Sequence, residues 1–216
     1  MKNFQKRLFT SIIVFPLSIF FIIKGGYLLL SFLFLVFFVA NYELFKTFNK
    51  ILIIFFLDLI LILSLFSIYA LRDASELSYN LLLWLIVLST FSDMGGYFFG
   101  KTFKWIKISK ISPNKTLSGV LGSFIFSILS LFVVQQIPLM INSNINFLEP
   151  NFFFLAIIFS IVAQTGDLVI SFFKRLEKIK DAGKILPGHG GIFDRIDGLM
   201  FVVILGYFLI SANLIP

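Results

Sequence analysis

Apolar runs of about membrane-spanning length recur along the whole of this chain. An α-helix needs about 20 mostly apolar residues to cross the roughly 30 Å hydrocarbon core of a bilayer. Because 59% of the 216 residues are hydrophobic, too little polar surface remains to cover a water-soluble globule. We therefore predict an all-α, polytopic integral membrane helical bundle with about seven transmembrane helices and a polar site at its cytoplasmic face. The predicted spans are residues 8–23, 27–45, 51–71, 77–99, 116–141, 151–173 and 198–215.

The first apolar run follows basic residues, as the hydrophobic part of a secretory signal does. It ends in Lys24-Gly25-Gly26, however, without a small-x-small cleavage site. We interpret it as a retained first span.

The distribution of Lys and Arg predicts the orientation, because these residues accumulate in loops left in the cytoplasm. With seven spans and a cytoplasmic N-terminus, all of the 18 Lys and Arg except Lys24 and Arg72 fall on the cytoplasmic side. The net charge of +7 is then mostly a property of that face and does not by itself indicate nucleic-acid binding.

Polar residues and glycines gather in three later segments: SDMGGYFFGK, SPNKTLSG, and QTGD continuing through a basic loop to GHGGIFDRIDG. The predicted topology puts all three on the cytoplasmic side, where segments from several helices can form one site. We therefore divide the chain into an N-terminal transmembrane scaffold and a candidate catalytic transmembrane domain with two cytoplasmic loops. The scaffold is residues 1–75, the second domain residues 76–216, and the loops residues 100–115 and 174–197.

Three aspartates lie inside predicted spans, where an ionised side chain is costly unless it faces a partner, a cation or water. Asp167 is close to the cytoplasmic end of its span but still at membrane depth, and Asp93 is in the first polar segment. Both are candidates for a functional site; a hydrogen bond that packs helices is the alternative for Asp167. Asp58 has no polar neighbour in sequence, and we expect it to pair with a group on another helix.

Asp194 and Asp197 add two carboxylates on the same side. Residues three apart share one helical face or one tight turn, and Arg195 between them can balance their charge. With Asp167 they could form an oxygen-rich pocket, which suits Mg²⁺ better than zinc because the chain has no cysteine and one histidine. The alternative is an ordinary helix start, since Asp near a helix N-terminus favours the dipole.

Glycines surround that single histidine. His189 lies between Gly188 and the pair Gly190 and Gly191, so it does not belong to an apolar helix face. Glycines allow positive φ and a close approach of backbone N–H groups to phosphate oxygens. We interpret the segment as a ligand-binding loop, with a flexible turn and a surface histidine as the alternative.

The basic loop that precedes this histidine contains Lys174, Arg175 and Lys180. It sets the topology and attracts anionic lipid, but Asp181 interrupts it, so it is not a simple polybasic anchor.

The segment SPNKTLSG puts Lys115, Thr116 and Ser118 at a predicted helix start. Helix N-termini bind phosphate, and a lysine there adds a point charge. Capping of the helix by Ser112 or Asn114 is the alternative.

Residues 171–197 read SFFKRLEKIKDAGKILPGHGGIFDRID and resemble the signature of the phosphatidate cytidylyltransferases, the CDP-diacylglycerol synthases. A pattern of this length with so many polar positions is highly specific. Asp167 and the other two polar segments also resemble the family, so the resemblance covers about residues 90–200. The chain departs from the family's usual pattern at Asn114, where a second basic residue is usual, and at Ser118, where an acidic residue is usual.

The resemblance implies the reaction of CTP with phosphatidic acid to give CDP-diacylglycerol and pyrophosphate. It implies that Asp167, Asp194 and Asp197 hold Mg²⁺, with a second cation left open. Lys174, Arg175 and Arg195 would then neutralise phosphate oxygens, and His189 would orient a substrate through a hydrogen bond. The further residues expected to bind substrate or phosphate are Asp93, Lys115, Thr116, Ser118, Lys180, Asp181, Gly190 and Gly191.

The expected partners are CTP, phosphatidic acid and membrane lipid, with no nucleic acid, and pairing as a homodimer is left open. The expected location is a bacterial-type inner membrane, with the N-terminus and the active site in the cytoplasm. A lipid or polyprenol kinase is an alternative, because it would also need Mg²⁺, lysines and cytoplasmic glycines. An ion or metabolite transporter is a weaker one, because only Asp58 is a deep candidate away from the cytoplasmic third.

Overall fold

The structure, a computed structural model, describes residues 14–108, 112, 115–137, 145–183, 185 and 190–215. This part of the chain forms helices without a β-sheet, which confirms the predicted all-α class; an isolated bridge joins Lys107 to Thr116. In chain order the helices are α1 Val14–Lys24, α2 Gly26–Thr47, α3 Ile51–Ala74, α4 Glu76–Phe103, α5 Leu117–Gln135, α6 Pro150–Leu176 and α7 Phe193–Ser211.

The helices α2 to α6 are long and apolar enough to cross a membrane. Two predicted boundaries differ from the structure by about five residues or more. Helix α5 ends at Gln135, before the predicted end at residue 141, and residues 138–144 lie outside the described part. Helix α7 begins at Phe193 rather than at Gly198, so the charged residues before Gly198 belong to its first turns. The first predicted span is described from Val14 onward.

Helix α4 is the centre of the bundle, since it packs against α3, α5, α6 and α7. Its fully buried Trp84 packs against the rings of Phe147, Phe152 and Phe159, with centroids 5.5 to 5.9 Å away. The indole N–H donates to the Ser130 hydroxyl on α5 at 3.2 Å, which satisfies the one polar group of this apolar cluster. The core is therefore specified by aromatic packing in which the indole N–H keeps a hydrogen bond.

Asp58 on α3 pairs with a group on another helix, as its position in an apolar span led us to expect. The Asn41 side chain on α2 donates to its Oδ1 at 2.9 Å and also to the Phe37 carbonyl. This polar contact links α2 to α3 inside the apolar region.

Long-range contacts bring the C-termini of α2, α4 and α6 together with the N-termini of α3, α5 and α7. We call this part of the molecule the charged end. It includes the hydrogen bond from the Lys50 backbone N–H to the Glu177 carboxylate, 3.0 Å long, and ion pairs between α6 and its neighbours. The described residues of the three polar segments identified in the sequence belong to it.

Candidate functional site

Asp167 on α6 and Asp197 on α7 face each other at the charged end, with their carboxyl groups within hydrogen-bonding reach. Asp167 follows Gly166 and Asp197 precedes Gly198, and both glycines lie at the contact between α6 and α7. A Cβ added at Gly198 would lie 3.1 Å from the Ala163 carbonyl oxygen, and one at Gly166 would lie 2.5 Å from the Phe201 ring. The two helices therefore approach closely because glycines occupy the contact, and this approach brings the two aspartates together.

Lys115 supplies a positive charge beside this pair. Its Nζ lies 2.7 Å from Asp167 Oδ2 and donates to the Gln164 carbonyl oxygen at 2.8 Å. The lysine and aspartate side chains are 22% and 32% exposed, so another molecule can reach them. The backbone before α5 positions the lysine, because the Ile108 N–H donates to the Lys115 carbonyl at 3.0 Å.

Asp93 on α4 borders the same group. It is exposed and close enough to interact electrostatically with Asp167, Lys115 and Arg195. The structure therefore brings four of the predicted site residues from α4, α6, α7 and the start of α5 to one place: Asp93, Lys115, Asp167 and Asp197. A fifth, Arg195 on α7, lies within electrostatic reach of Asp93.

The predicted three-carboxylate metal site is not assembled. Within the described ranges no group of three or more His, Cys, Asp or Glu side chains is arranged to hold a metal ion. Two carboxylates do lie side by side, in Asp167 and Asp197, where their mutual repulsion favours a bound cation. Since Mg²⁺ is usually held by one or two carboxylates plus substrate phosphates, this donor set fits that ion.

Asp194 has other partners and is bound within the protein. Its carboxylate lies 2.8 Å from Lys174 Nζ and accepts from the N–H groups of Ala182, at 2.9 Å, and Gly191, at 3.0 Å. The Asp194 and Lys174 side chains are 8% and 9% exposed. Because α7 starts earlier than expected, Asp194 is in its first turn, where it reaches backbone N–H groups that precede the helix. Of the two interpretations drawn from the sequence, an aspartate at a helix start therefore fits Asp194 better than a metal ligand does.

The hydroxyl groups of Thr116 and Ser118 already form hydrogen bonds within the protein at the start of α5. Thr116 is the N-cap: its hydroxyl accepts from the Gly119 N–H at 3.2 Å and contacts the Ser118 hydroxyl at 3.0 Å. Both residues are buried. Helix capping was the sequence alternative here, but the cap is Thr116 rather than Ser112 or Asn114, and Asn114 is outside the described residues.

The other predicted residues lie around the basic loop. Arg175 is exposed and donates to the Ile179 carbonyl at 2.8 Å, while Lys180 and Asp181 are exposed. Gly190 has φ +89°, a backbone conformation that favours glycine. Gly191 gives its N–H to Asp194, so this amide is not directed at a ligand. His189 lies outside the described residues.

Sequence reasoning missed Glu43, at the C-terminal end of α2. It is 2% exposed, and its carboxylate accepts from the backbone N–H of Ile185 at 3.1 Å and of Ile192 at 2.7 Å. The signal was present, because Glu43 is an ionisable residue inside a predicted apolar span. The N-terminal scaffold thus contributes a side chain to the charged end.

Comparison with known proteins gives a consistent set of relatives. The sequence profile of the cytidylyltransferase family matches residues 46–212. A phosphatidate cytidylyltransferase of Helicobacter pylori (strain ATCC 700392 / 26695) is 38% identical over 142 residues, which are 64% of this chain and 48% of that protein. One of Staphylococcus haemolyticus is 44% identical over 136 residues (62% and 49%), and one of Bacillus subtilis 36% identical over 140 residues (64% and 49%). The chain spans about half the length of these curated relatives.

Proposed function

This chain belongs to the cytidylyltransferase family, and we propose that it transfers the cytidylyl group of CTP to phosphatidic acid. The products would be CDP-diacylglycerol and pyrophosphate. Relatives named phosphatidate cytidylyltransferase support this substrate pair.

The observation that carries the proposal is the group formed by Asp167, Asp197 and Lys115. Both substrates are polyanions, so they must be held together against their repulsion while charge moves towards the leaving pyrophosphate. The group offers carboxylate oxygens for a cation and an ammonium group for phosphate oxygens, in a partly exposed position at one end of the bundle. Phosphoryl-type transfers depend mainly on such positioning and electrostatic stabilisation.

In the proposed reaction, a phosphate oxygen of phosphatidic acid forms a bond with the α-phosphorus of CTP. The bond from that phosphorus to the oxygen bridging to the β-phosphorus breaks, and the electron pair leaves with pyrophosphate. The attacking phosphate is ionised near neutral pH, so no strong base is required. Lys115 and Arg195 neutralise phosphate oxygens, and Asp93 borders the nucleotide.

Asp167 and Asp197 would hold Mg²⁺, which supplies a Lewis acid that neutralises the triphosphate. Lys174 has a different role from the neutralisation of phosphate oxygens that was expected from the sequence. Its ammonium group is bound to Asp194, so it maintains the fold next to the site and adds positive potential at Asp167 and Asp197.

We further propose that the charged end lies at the cytoplasmic face of a bacterial inner membrane. The excess of Lys and Arg in the loops at this end supports that orientation. Acyl chains of phosphatidic acid would stay in the bilayer while the headgroup reaches the interface, and CTP would arrive from the cytoplasm.

A labelling experiment tests the reaction. Purified protein in phosphatidic acid micelles with Mg²⁺ receives CTP labelled either in the cytosine or at the γ-phosphorus. We expect the cytosine label in the lipid fraction and the γ-label in pyrophosphate. A lipid that carries the γ-label would instead indicate a lipid or polyprenol kinase. Flux of ions or metabolites across proteoliposomes without turnover would indicate a transporter.

A further inference from the structure

We propose that Glu43 is a positioning residue for this site: its carboxylate holds the backbone at Ile185 and Ile192, both before α7, and so fixes Asp197 next to Asp167. The role in turnover rests on the proposed function, whereas the clamp itself is a property of the folded chain. Glu43 lies before residue 46, where the match to the family profile begins.

Two backbone contacts carry the inference. One oxygen of the Glu43 carboxylate accepts from Ile185 N–H at 3.1 Å, and the other accepts from Ile192 N–H at 2.7 Å. Ile192 is the residue directly before α7. A single side chain from α2 therefore ties together two points of the chain more than 140 positions away in sequence.

The burial of Glu43 makes these contacts energetically important. A carboxylate that is 2% exposed needs compensation for its lost hydration. No ion pair to Glu43 occurs among the residues that the structure describes, so backbone N–H groups provide that compensation there. Charge-assisted hydrogen bonds of this kind are about twice as strong as neutral ones.

The surrounding backbone is shaped to admit the carboxylate. A Cβ added at Gly183 would collide with the Glu43 carboxyl group, and one added at Gly191 would lie 2.6 Å from Glu43 Oε2. Any residue with a side chain at Gly183 would displace Glu43 or the loop. The absence of a side chain at these two glycines therefore makes room for the Glu43 carboxylate.

The clamp connects to the site through the start of α7. Gly191, against Glu43, donates to Asp194, and Asp194 also holds Ala182 and Lys174. Asp197 follows one turn later and reaches Asp167. If Glu43 releases Ile192, the residue directly before α7 loses its contact with α2, and the start of the helix can shift. The distance between the Asp167 and Asp197 carboxylates is then no longer fixed.

The test compares Glu43→Gln with Glu177→Gln. Glutamine keeps the size of the side chain but has one acceptor oxygen, so its amide group would oppose one of the two backbone N–H donors. Glu177 is the matched control because its carboxylate also accepts a distant backbone N–H, that of Lys50 at 3.0 Å, outside the clamp. Both variants are made in the full chain and purified in detergent.

Two readouts are measured. Amide hydrogen exchange at Ile185 and Ile192 should accelerate by about 10-fold or more in Glu43→Gln and stay unchanged in Glu177→Gln, since opening exposes donors that are now held. The Mg²⁺ concentration for half-maximal turnover should rise about 10-fold in Glu43→Gln only, with turnover reduced towards the 10²-fold loss that a small misplacement can cause. A smaller folded fraction lowers turnover but does not change the Mg²⁺ requirement.

Exchange that is unchanged in folded Glu43→Gln, or a Mg²⁺ requirement equal to that of Glu177→Gln, would overturn the proposal. If Glu43→Gln does not fold, Gly183→Ala is used, because it displaces the carboxylate and keeps its charge; failure of both to fold would show a structural role alone. If the parent protein makes no CDP-diacylglycerol, the proposed function fails, and the exchange data still decide whether the clamp exists.

Discussion

Lys115 Nζ lies 2.7 Å from Asp167 Oδ2 and joins the start of α5 to α6 in a partly exposed ion pair. The distance from Lys174 Nζ to Asp194 Oδ1 nearby is almost the same, 2.8 Å, but both of these side chains are more than 90% buried. Similar geometry therefore has different consequences: the accessible pair can exchange partners with a substrate, while the buried pair must stay intact for the protein to remain folded.

Lys115→Met should remove most turnover and little stability. A partly exposed ion pair contributes up to about 1 kcal/mol, so the free energy of unfolding should change by no more than that. Activity should fall because a phosphate-neutralising charge is lost beside Asp167. Turnover and an unfolding titration in mixed detergent check the two parts, with the exposed Lys101→Met as control. Normal turnover in Lys115→Met would remove this lysine from the site.

Lys174→Met should instead destabilise the protein by about 3–5 kcal/mol, because it leaves the buried Asp194 carboxylate without its cation. The double variant Lys174→Met, Asp194→Asn should recover part of that loss, since no unpaired buried charge remains and the amide oxygen can still accept a backbone N–H. The unfolding titration of both variants gives the comparison. Equal destabilisation of the single and double variants would contradict the assignment of this pair to the fold.

Asp167→Asn and Asp197→Asn should each abolish CDP-diacylglycerol formation and leave the protein folded in detergent. An amide in place of either carboxylate removes negative charge that Mg²⁺ needs. The fold should survive the loss of the Asp167 carboxylate, because its partner Lys115 is 22% exposed and does not become a buried unpaired cation. Turnover at increasing Mg²⁺, together with size-exclusion elution, measures both effects. Full activity of Asp167→Asn would exclude this residue from holding the metal ion.

Asp58→Asn should leave turnover per folded molecule unchanged. The Asn41–Asp58 contact lies between α2 and α3, and polar contacts of this kind between membrane helices contribute on average about 0.6 kcal/mol. The expected result is a small decrease in the unfolding midpoint with normal incorporation of cytidine into lipid. A folded variant that is inactive would instead give Asp58 a direct role and revive the transport alternative.

The predicted membrane class followed from the sequence because a hydrophobic span is recognised by its own residues. The charged end was also predictable as a region, since the three polar segments fall on one side when the spans are counted. Asp167 and Asp197, which were grouped from the sequence, lie together in the structure. Asp194 was grouped with them because a spacing of three places residues on one face, but its first-turn position gives it backbone and lysine partners that spacing does not reveal.

Glu43 illustrates what local patterns leave undecided. Its own segment is apolar, and nothing near it in sequence indicates that its carboxylate accepts from Ile185 and Ile192. The same holds for Thr116, which caps α5 although Ser112 and Asn114 are equally suitable residue types.

By itself, therefore, the amino-acid sequence determined a helical membrane protein with acidic and basic groups collected at one face, because hydropathy, charge bias and short motifs are properties of neighbouring residues. The tertiary structure alone decided which charges meet: Lys115 with Asp167, Lys174 with Asp194, and Glu43 with the entry to α7. The pairing of Lys174 with Asp194, like that of Asp167 with Asp197, depends on the distance between α6 and α7, which approach closely at Gly166 and Gly198. That distance is set by packing between residues far apart in the chain.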